Sequence, residues 1–278
     1  MTRVLSAIVL LTVVIGTIWF LPPAATLVLA LVAALLGFHE YAALARALGA
    51  DVPRIVAGAA VLASCAALAM TAMPSSNIFE TSRLAAATPA PLDVVLLSSV
   101  IAIAATIVAS RRPGPAVLFD GAAALLAVGY IGLPLGTLVA ILIIGGRETL
   151  FLLMGIIIVS DSAQYYTGRA LGRHPLAPAI SPKKTIEGAI GGLVFGTAAT
   201  VAGGAWIFPA APPLLLGVLG ATIVALGIAG DLFESLLKRS AGVKDSSALI
   251  PGHGGVLDRV DSWLFAAPVY YVFVRYLQ

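Results

Sequence analysis

Asp231, Glu234, Ser235 and Lys238 follow one another at i, i+3, i+4 and i+7, which places them on one stripe of a helix. Glu234 and Lys238 can pair along that stripe. Asp231 is deeper: it follows the apolar run GVLGATIVALGIAG, has no basic residue within four positions, and needs a partner from elsewhere in the chain. A short loop later, Asp258 and Asp261 stand one turn apart at the start of another apolar segment, with Ser262 beside them. Asp231, Asp258 and Asp261, with Asp161 upstream, form an oxygen-rich set. Such a set suits Mg²⁺, a hard ion that takes one or two carboxylates and leaves other positions to water and phosphate oxygens.

Between these carboxylates runs KRSAGVKDSSALIPGHGG. Lys238, Arg239 and Lys244 can hold a polyphosphate, Gly252, Gly254 and Gly255 let backbone amides approach a ligand, and Pro251 stiffens the turn. Anchoring against anionic lipid is the plainer reading of the basic residues, but it leaves His253, the glycines and the aspartates unexplained. His253 reads either as a phosphate ligand or proton donor, or as a structural hydrogen-bonding group. Upstream, SPKKTIEG at 181–188 opens a helix that Ser181 or Thr185 can cap, with Glu187 where a carboxylate favours the helix dipole. Capping does not explain Lys183 and Lys184, which beside free helix amides make an anion site. In SDSAQYYTGRALGRH at 160–174, Asp161, Gln164, Tyr165 and Gly168 share a face, and Asp161 interrupts an otherwise apolar helix. Carboxylates, cations and glycines of this kind point to metal-dependent phosphoryl or nucleotidyl transfer between a soluble and a lipid substrate.

The elements that must position these groups are membrane helices. The chain has 278 residues, 60% hydrophobic and 10% charged, with a mean hydropathy of +1.05. At roughly 20 apolar residues per span, nine helices are expected, near 4–20, 24–45, 54–73, 92–110, 117–140, 148–171, 187–208, 213–240 and 257–277. The expected fold is therefore all-α and polytopic, with N-terminal helices in 1–74, middle helices in 92–140 and a C-terminal catalytic part in 147–278. GYIGLP at 129–134 predicts a kink or two half-helices in the fifth span. An inside N-terminus puts thirteen of the 16 basic residues at cytoplasmic ends, against Arg83, Arg147 and Arg275 outside. That orientation places the polar clusters at the cytoplasmic face. The first apolar run lacks an Ala-x-Ala cleavage pattern and is expected to be a retained helix. Lone Cys65 excludes a disulfide framework within one chain. The segment 74–91 reads as a plain connector.

The order of residues then becomes specific. SLLKRSAGVKDSSALIPGHGGVLDRVD resembles the signature of the phosphatidate cytidylyltransferase (CDP-diacylglycerol synthase) family, from Ser235, Lys238, Arg239, Lys244 and Asp245 to His253, Gly254, Gly255, Asp258, Arg259 and Asp261. The family's D-x-x-A-Y-x-x-G-R and S-P-x-K-T-x-E-G segments are similar to Asp161–Arg169 and Ser181–Gly188. The resemblance is strong over the C-terminal half, and in the N-terminal half it rests on hydropathy and a glutamate in helix two, Glu40. Gln164 departs from the family's usual alanine and is expected to narrow that face or add a hydrogen bond; His39 beside Glu40 has no assigned role.

The resemblance implies that CTP and phosphatidic acid give CDP-diacylglycerol and pyrophosphate at a bacterial-type inner membrane. It implies a metal pair at Asp231 and Asp258, with Asp261 a further candidate ligand, Mg²⁺ as one ion and a second cation left open. Lys184, Lys238, Arg239 and Lys244 would hold phosphates, and His253 and Arg259 would support the pyrophosphate or the metal shell. Ser181, Thr185, Glu187, Asp245, Asp161 and Tyr165 complete the expected substrate-binding set. The partners implied are CTP, phosphatidic acid and the bilayer, not nucleic acid, with a homodimer left open. A CTP-dependent polyprenol or phytol kinase is the nearest rival and would have to activate a hydroxyl. A cation-coupled transporter would spread its polar residues over both halves and faces. No D-G-x-x-A-R segment marks a CDP-alcohol phosphatidyltransferase.

Overall fold

The computed structural model describes residues 2–73, 91–114 and 116–276. The expected connector over 74–91, with Arg83, lies outside the described residues except for Pro91. In chain order the elements are α1 (Thr2–Phe20), α2 (Pro23–Ala47), α3 (Arg54–Met70), α4 (Leu92–Ser110), α5 (Ala116–Ala127), a single π-turn (Val128–Gly132), α6 (Leu133–Leu171), β1 (Pro175–Ala177), β2 (Ser181–Thr185), α7 (Ile186–Ile207), α8 (Pro213–Ser240) and α9 (Leu257–Tyr276). Helix dominates, as the composition predicts. Among the described residues five segments are long and apolar enough to cross a membrane: Pro23–Ala47, Leu92–Ser110, Ala116–Leu171, Ile186–Ile207 and Pro213–Ser240.

The chain folds as two compact units, Met1–Ile144 with Asp245–Leu257, and Gly145–Lys244 with Asp258–Gln278. In the first unit, the π-turn and the start of α6 lie against α3 through glycines four residues apart. A methyl at Gly136 would come 2.6 Å from the Cys65 carbonyl, and one at Gly132 an equal 2.6 Å from that of Val61. The interruption expected at 129–134 is thus a π-turn within a continuous helical run, a local widening that seats it against its neighbour. Arg111 clips the loop after α2 to α5, pairing with Asp51 (2.8 Å) and Asp120 (3.0 Å). Its hydrogen bond holds the Asp51 carboxyl below the usual carboxylate range. The break between the expected fifth and sixth spans is a single residue, Gly146, whose non-helical φ of 80° and ψ of 179° divide α6 into two helical stretches.

In the second unit, one strand pair corrects the all-α expectation. β1 and β2 form an antiparallel hairpin, with Pro175 opposite Thr185 and Ala177 opposite Ser181. SPKKT was expected to enter the helix directly, but Pro182 turns Ser181 away from the helical region, and a two-stranded ribbon has free edges where proline is tolerated. α7 starts only at Ile186, with Thr185 as its cap accepting from the Gly188 amide at 3.1 Å. Gly188, Gly192 and Gly196 then line one face of α7 and let it approach α6 closely: a methyl at Gly188 would sit 2.8 Å from the Gln164 carbonyl, and one at Gly196 3.2 Å from Ser160 Cβ. Small residues at four-residue spacing are how apolar helices pack where lipid supplies no hydrophobic drive.

Candidate active site

The polar face of α8 gathers the second unit's ionic groups. Asp231 finds its partner 47 residues upstream: Lys184, at the end of β2, is ion-paired to its Oδ2, while Ser235 donates to Oδ1 at 3.4 Å. The hairpin is what brings that lysine to α8. One turn further along α8, buried Lys238 is ion-paired both with fully buried Glu234 and with Asp258 in the first turn of α9. Asp261 follows on α9, and its Oδ1 accepts the Ser262 amide at 2.7 Å. Asp161 on α6 takes a 3.0 Å hydrogen bond from Gln164 and feels the charges of Asp231 and Lys184; Asp261 feels Asp231, Lys238 and Lys184. Gln164 thus adds the expected hydrogen bond, and also narrows the face, because its side chain packs where a methyl at Gly192 would lie.

Five carboxylates (Asp161, Asp231, Glu234, Asp258 and Asp261) therefore share their surroundings with the ammonium groups of Lys184 and Lys238. Glu234 Oε1 has no hydrogen-bond partner among the described residues. Such a negative excess in an apolar protein favours cations, and the donors are all hard oxygens, the chemistry Mg²⁺ prefers. Among the described residues no three acidic, imidazole or thiol groups already converge as a metal cluster. Lysines hold two of the three expected ligands instead. Asp231, Asp258 and Asp261 fit a hard divalent ion by donor type, provided the lysines can turn to another anion.

The remaining expected residues divide by what they touch. Glu187 fastens the hairpin to α7, accepting from the amides of Arg173 (3.0 Å) and His174 (3.3 Å) and meeting His174 Nδ1 at 2.6 Å. Arg239 donates to the carbonyls of Ile180 (3.3 Å) and Val243 (3.1 Å). Tyr165 is exposed and accepts from Arg169 at 3.3 Å. Ser181 lies in β2, Arg259 is exposed on the first turn of α9, and Lys244 and Asp245 are exposed in the loop after α8.

In the first unit, the 245–257 segment is tied to the N-terminal helices. His253 Nδ1 lies 2.9 Å from Ser6 Oγ, which also donates to the Pro251 carbonyl at 3.0 Å. Glu40, to which the sequence alone assigns no role, accepts hydrogen bonds from this segment: from Ser246 Oγ (3.0 Å), Ser247 Oγ (2.6 Å) and the amides of Val256 (3.0 Å) and Leu257 (2.8 Å). Its signals in the sequence were an acidic residue inside an apolar helix and the resemblance to a family glutamate in helix two.

The chain is similar to known proteins. The chain is 46% identical over 136 residues to the phosphatidate cytidylyltransferase of Haemophilus influenzae, covering 45% of this chain and 46% of that one. It is 47% identical over 135 residues to the phosphatidate cytidylyltransferase of Brucella suis, covering 46% and 47%. It is also 42% identical over 134 residues to an uncharacterized protein of Escherichia coli, covering 48% and 44%. These matches span a little under half of each relative's length. The model of the cytidylyltransferase family, in contrast, matches residues 1–277, so the chain belongs to the cytidylyltransferase family.

Proposed function

We propose that this chain transfers a cytidylyl group from CTP to phosphatidic acid, giving CDP-diacylglycerol and pyrophosphate. The observation that carries the proposal is the pairing of Lys184 with Asp231 and of Lys238 with Asp258. Each pair couples an anion-binding cation to a hard-oxygen donor, the two things a polyphosphate with its cation requires. The names of the aligned relatives point to the same reaction.

In that reaction a phosphate oxygen of the lipid attacks the α-phosphorus of CTP, a new P–O bond forms, and the bond from the α-phosphorus to the bridging oxygen breaks as pyrophosphate leaves. The attacking phosphomonoester is largely dianionic at neutral pH, with a second pKa of about 6, so no side chain has to remove a proton. Positioning and charge neutralisation carry the catalysis. Lys184 and Lys238 exchange their carboxylate partners for phosphate oxygens, which frees Asp231 and Asp258; Asp261 stands one turn beyond. A bound Mg²⁺ at these aspartates would supply charge neutralisation of the phosphates. His253, Lys244, Arg239 and Arg259 keep, from their place in the motif, the role of supporting the triphosphate.

The membrane setting follows from the same reading. Ala116–Leu171 is 56 residues, about 84 Å of helix at 1.5 Å per residue, more than twice a hydrocarbon core of about 30 Å. Division at Gly146 makes it two spans, and α1, α3 and α9 bring the total to nine. The positive-inside bias then sets the N-terminus and the active site at the cytoplasmic face of a bacterial inner membrane.

Purified protein in detergent with labelled CTP, Mg²⁺ and either phosphatidic acid or a polyprenol tests the proposal. The expected result is a liponucleotide from phosphatidic acid, abolished by a chelator and by Asp258→Asn. A phosphorylated prenol, with nothing formed from phosphatidic acid, would overturn it.

A further inference from the structure

Glu40 is 3% exposed and 206 to 217 residues distant in sequence from the groups it binds. Among the described residues no cation is ion-paired to it. Its charge is satisfied by four donors, all from the segment that ends immediately before Asp258. The two oxygens divide these donors evenly: Oε1 takes Ser247 Oγ and the Val256 amide, Oε2 takes Ser246 Oγ and the Leu257 amide. Each oxygen therefore faces one backbone N–H that cannot reorient.

The surroundings are shaped around this carboxylate. Gly255 is buried, and a methyl there would run into both Glu40 oxygens and Ser246 Oγ. One turn back on α2, Gly37 faces the buried Leu257, whose Cδ1 would lie 3.9 Å from a methyl at that position. The segment is also tied within itself, by the Ile250–Gly254 bridge and by the His253 amide donating to the Ile250 carbonyl at 2.9 Å.

We infer that Glu40 is a positioning residue for the proposed transfer: its carboxylate fixes the 245–257 segment, and so the place of His253 and the backbone entry to Asp258, without touching substrate. This rests on the reaction proposed above. A glutamine at 40 discriminates the role, because in either flip its amide NH₂ meets a backbone N–H and one donor loses its acceptor. An alanine at 255 evicts the carboxylate while leaving Glu40 chemically intact.

The test uses the full chain in detergent with Cys65→Ala, carrying a spin label at Ala248→Cys in the segment or at Ala170→Cys, exposed at the end of α6, as control. In Glu40→Gln and in Gly255→Ala the label at 248 is expected to become mobile while that at 170 does not. In the unlabelled variants kcat is expected to fall roughly 10- to 100-fold, as for residues that orient catalytic groups from behind, with KM for CTP little changed. A label at 248 as immobile as in the parent, or parental turnover with a mobile label, overturns the inference. Should both variants fail to fold, Ser246→Ala with Ser247→Ala removes two donors and keeps the carboxylate. A mobile label with lowered kcat then supports the inference, and parental behaviour overturns it. If the parent transfers no cytidylyl group, the spin labels still decide whether Glu40 holds the segment, so the two ideas fail separately.

Discussion

Lys238 on α8 is ion-paired with Asp258 in the first turn of α9, and its own helix adds Glu234 one turn earlier. One ammonium thus serves two carboxylates in a place where side-chain exposure is 10% for the lysine, 4% for Asp258 and 0% for Glu234. Buried charge is tolerated only when paired, so this lysine joins the two helices and is also the cation a phosphate would have to recruit.

Lys238→Met is therefore expected to destabilise the protein strongly, by about 3–5 kcal/mol, because it leaves two carboxylates without their cation. Adding Glu234→Gln removes one of the stranded charges and should recover part of that loss without restoring turnover. Thermal unfolding in detergent measures both. A single variant that melts with the parent would show that the carboxylates are satisfied in some other way.

Lys184 should behave in the opposite manner. Its pair with Asp231 is partly open, with 22% and 31% side-chain exposure, and such pairs contribute no more than about 1 kcal/mol to stability. Lys184→Met should keep its melting temperature but lose activity by about 10²–10³-fold, the usual cost of removing a preorganised donor from a developing charge. Parental turnover would remove Lys184 from the phosphate site.

These pairs also show which parts of the molecule local spacing reveals. The stripe Asp231, Glu234, Lys238 was readable because helical periodicity places all three residues on one face, and Asp231 was recognisably in want of a partner. That Lys184 would supply it was not readable, since Lys183 and Lys184 looked like the entrance to a helix. Only the hairpin formed around Pro175 and Pro182 separates β2 from α7 and carries Lys184 to α8. Glu40 was visible as a carboxylate in an apolar helix and as part of the family resemblance, but its task was not: its partners lie more than 200 residues away, and two of them are backbone amides that no side-chain pattern announces. The break at Gly146 was legible, because Gly145, Gly146 and Arg147 interrupt the apolar run between the spans expected at 117–140 and 148–171, whereas the single reversed φ that makes it was not.

The contact between Ser6 and His253 favours one tautomer. A hydroxyl has one proton, and with that of Ser6 given to the Pro251 carbonyl the serine accepts from His253. Nδ1 of the imidazole then carries the proton and Nε2 is the basic nitrogen. The ¹⁵N shifts of selectively labelled protein should show the Nδ1–H tautomer of His253, with the preference lost in Ser6→Ala. A dominant Nε2–H form in the parent would contradict the assignment, and with it any role in which Nε2 accepts a proton.

Two glycines of the second unit predict opposite outcomes for the same substitution. At Gly188 a methyl would meet the Gln164 carbonyl at 2.8 Å and Thr185 Oγ1 at 3.0 Å. The first of these is backbone of α6 and the second is the cap of α7, so neither can move without parting the helices or uncapping one of them. At Gly155, within α6, a methyl would meet nothing within 4 Å. Gly188→Ala is expected to cost about 1–3 kcal/mol through overpacking. Gly155→Ala should gain about 0.5–1 kcal/mol, because alanine loses less backbone freedom than glycine on entering a helix. Paired melts in one detergent decide the matter, and a Gly188→Ala variant as stable as Gly155→Ala would mean that α6 and α7 do not pack glycine to backbone. Because Lys184 lies one residue before the Thr185 cap, that variant should also lower turnover beyond what its loss of folded protein explains.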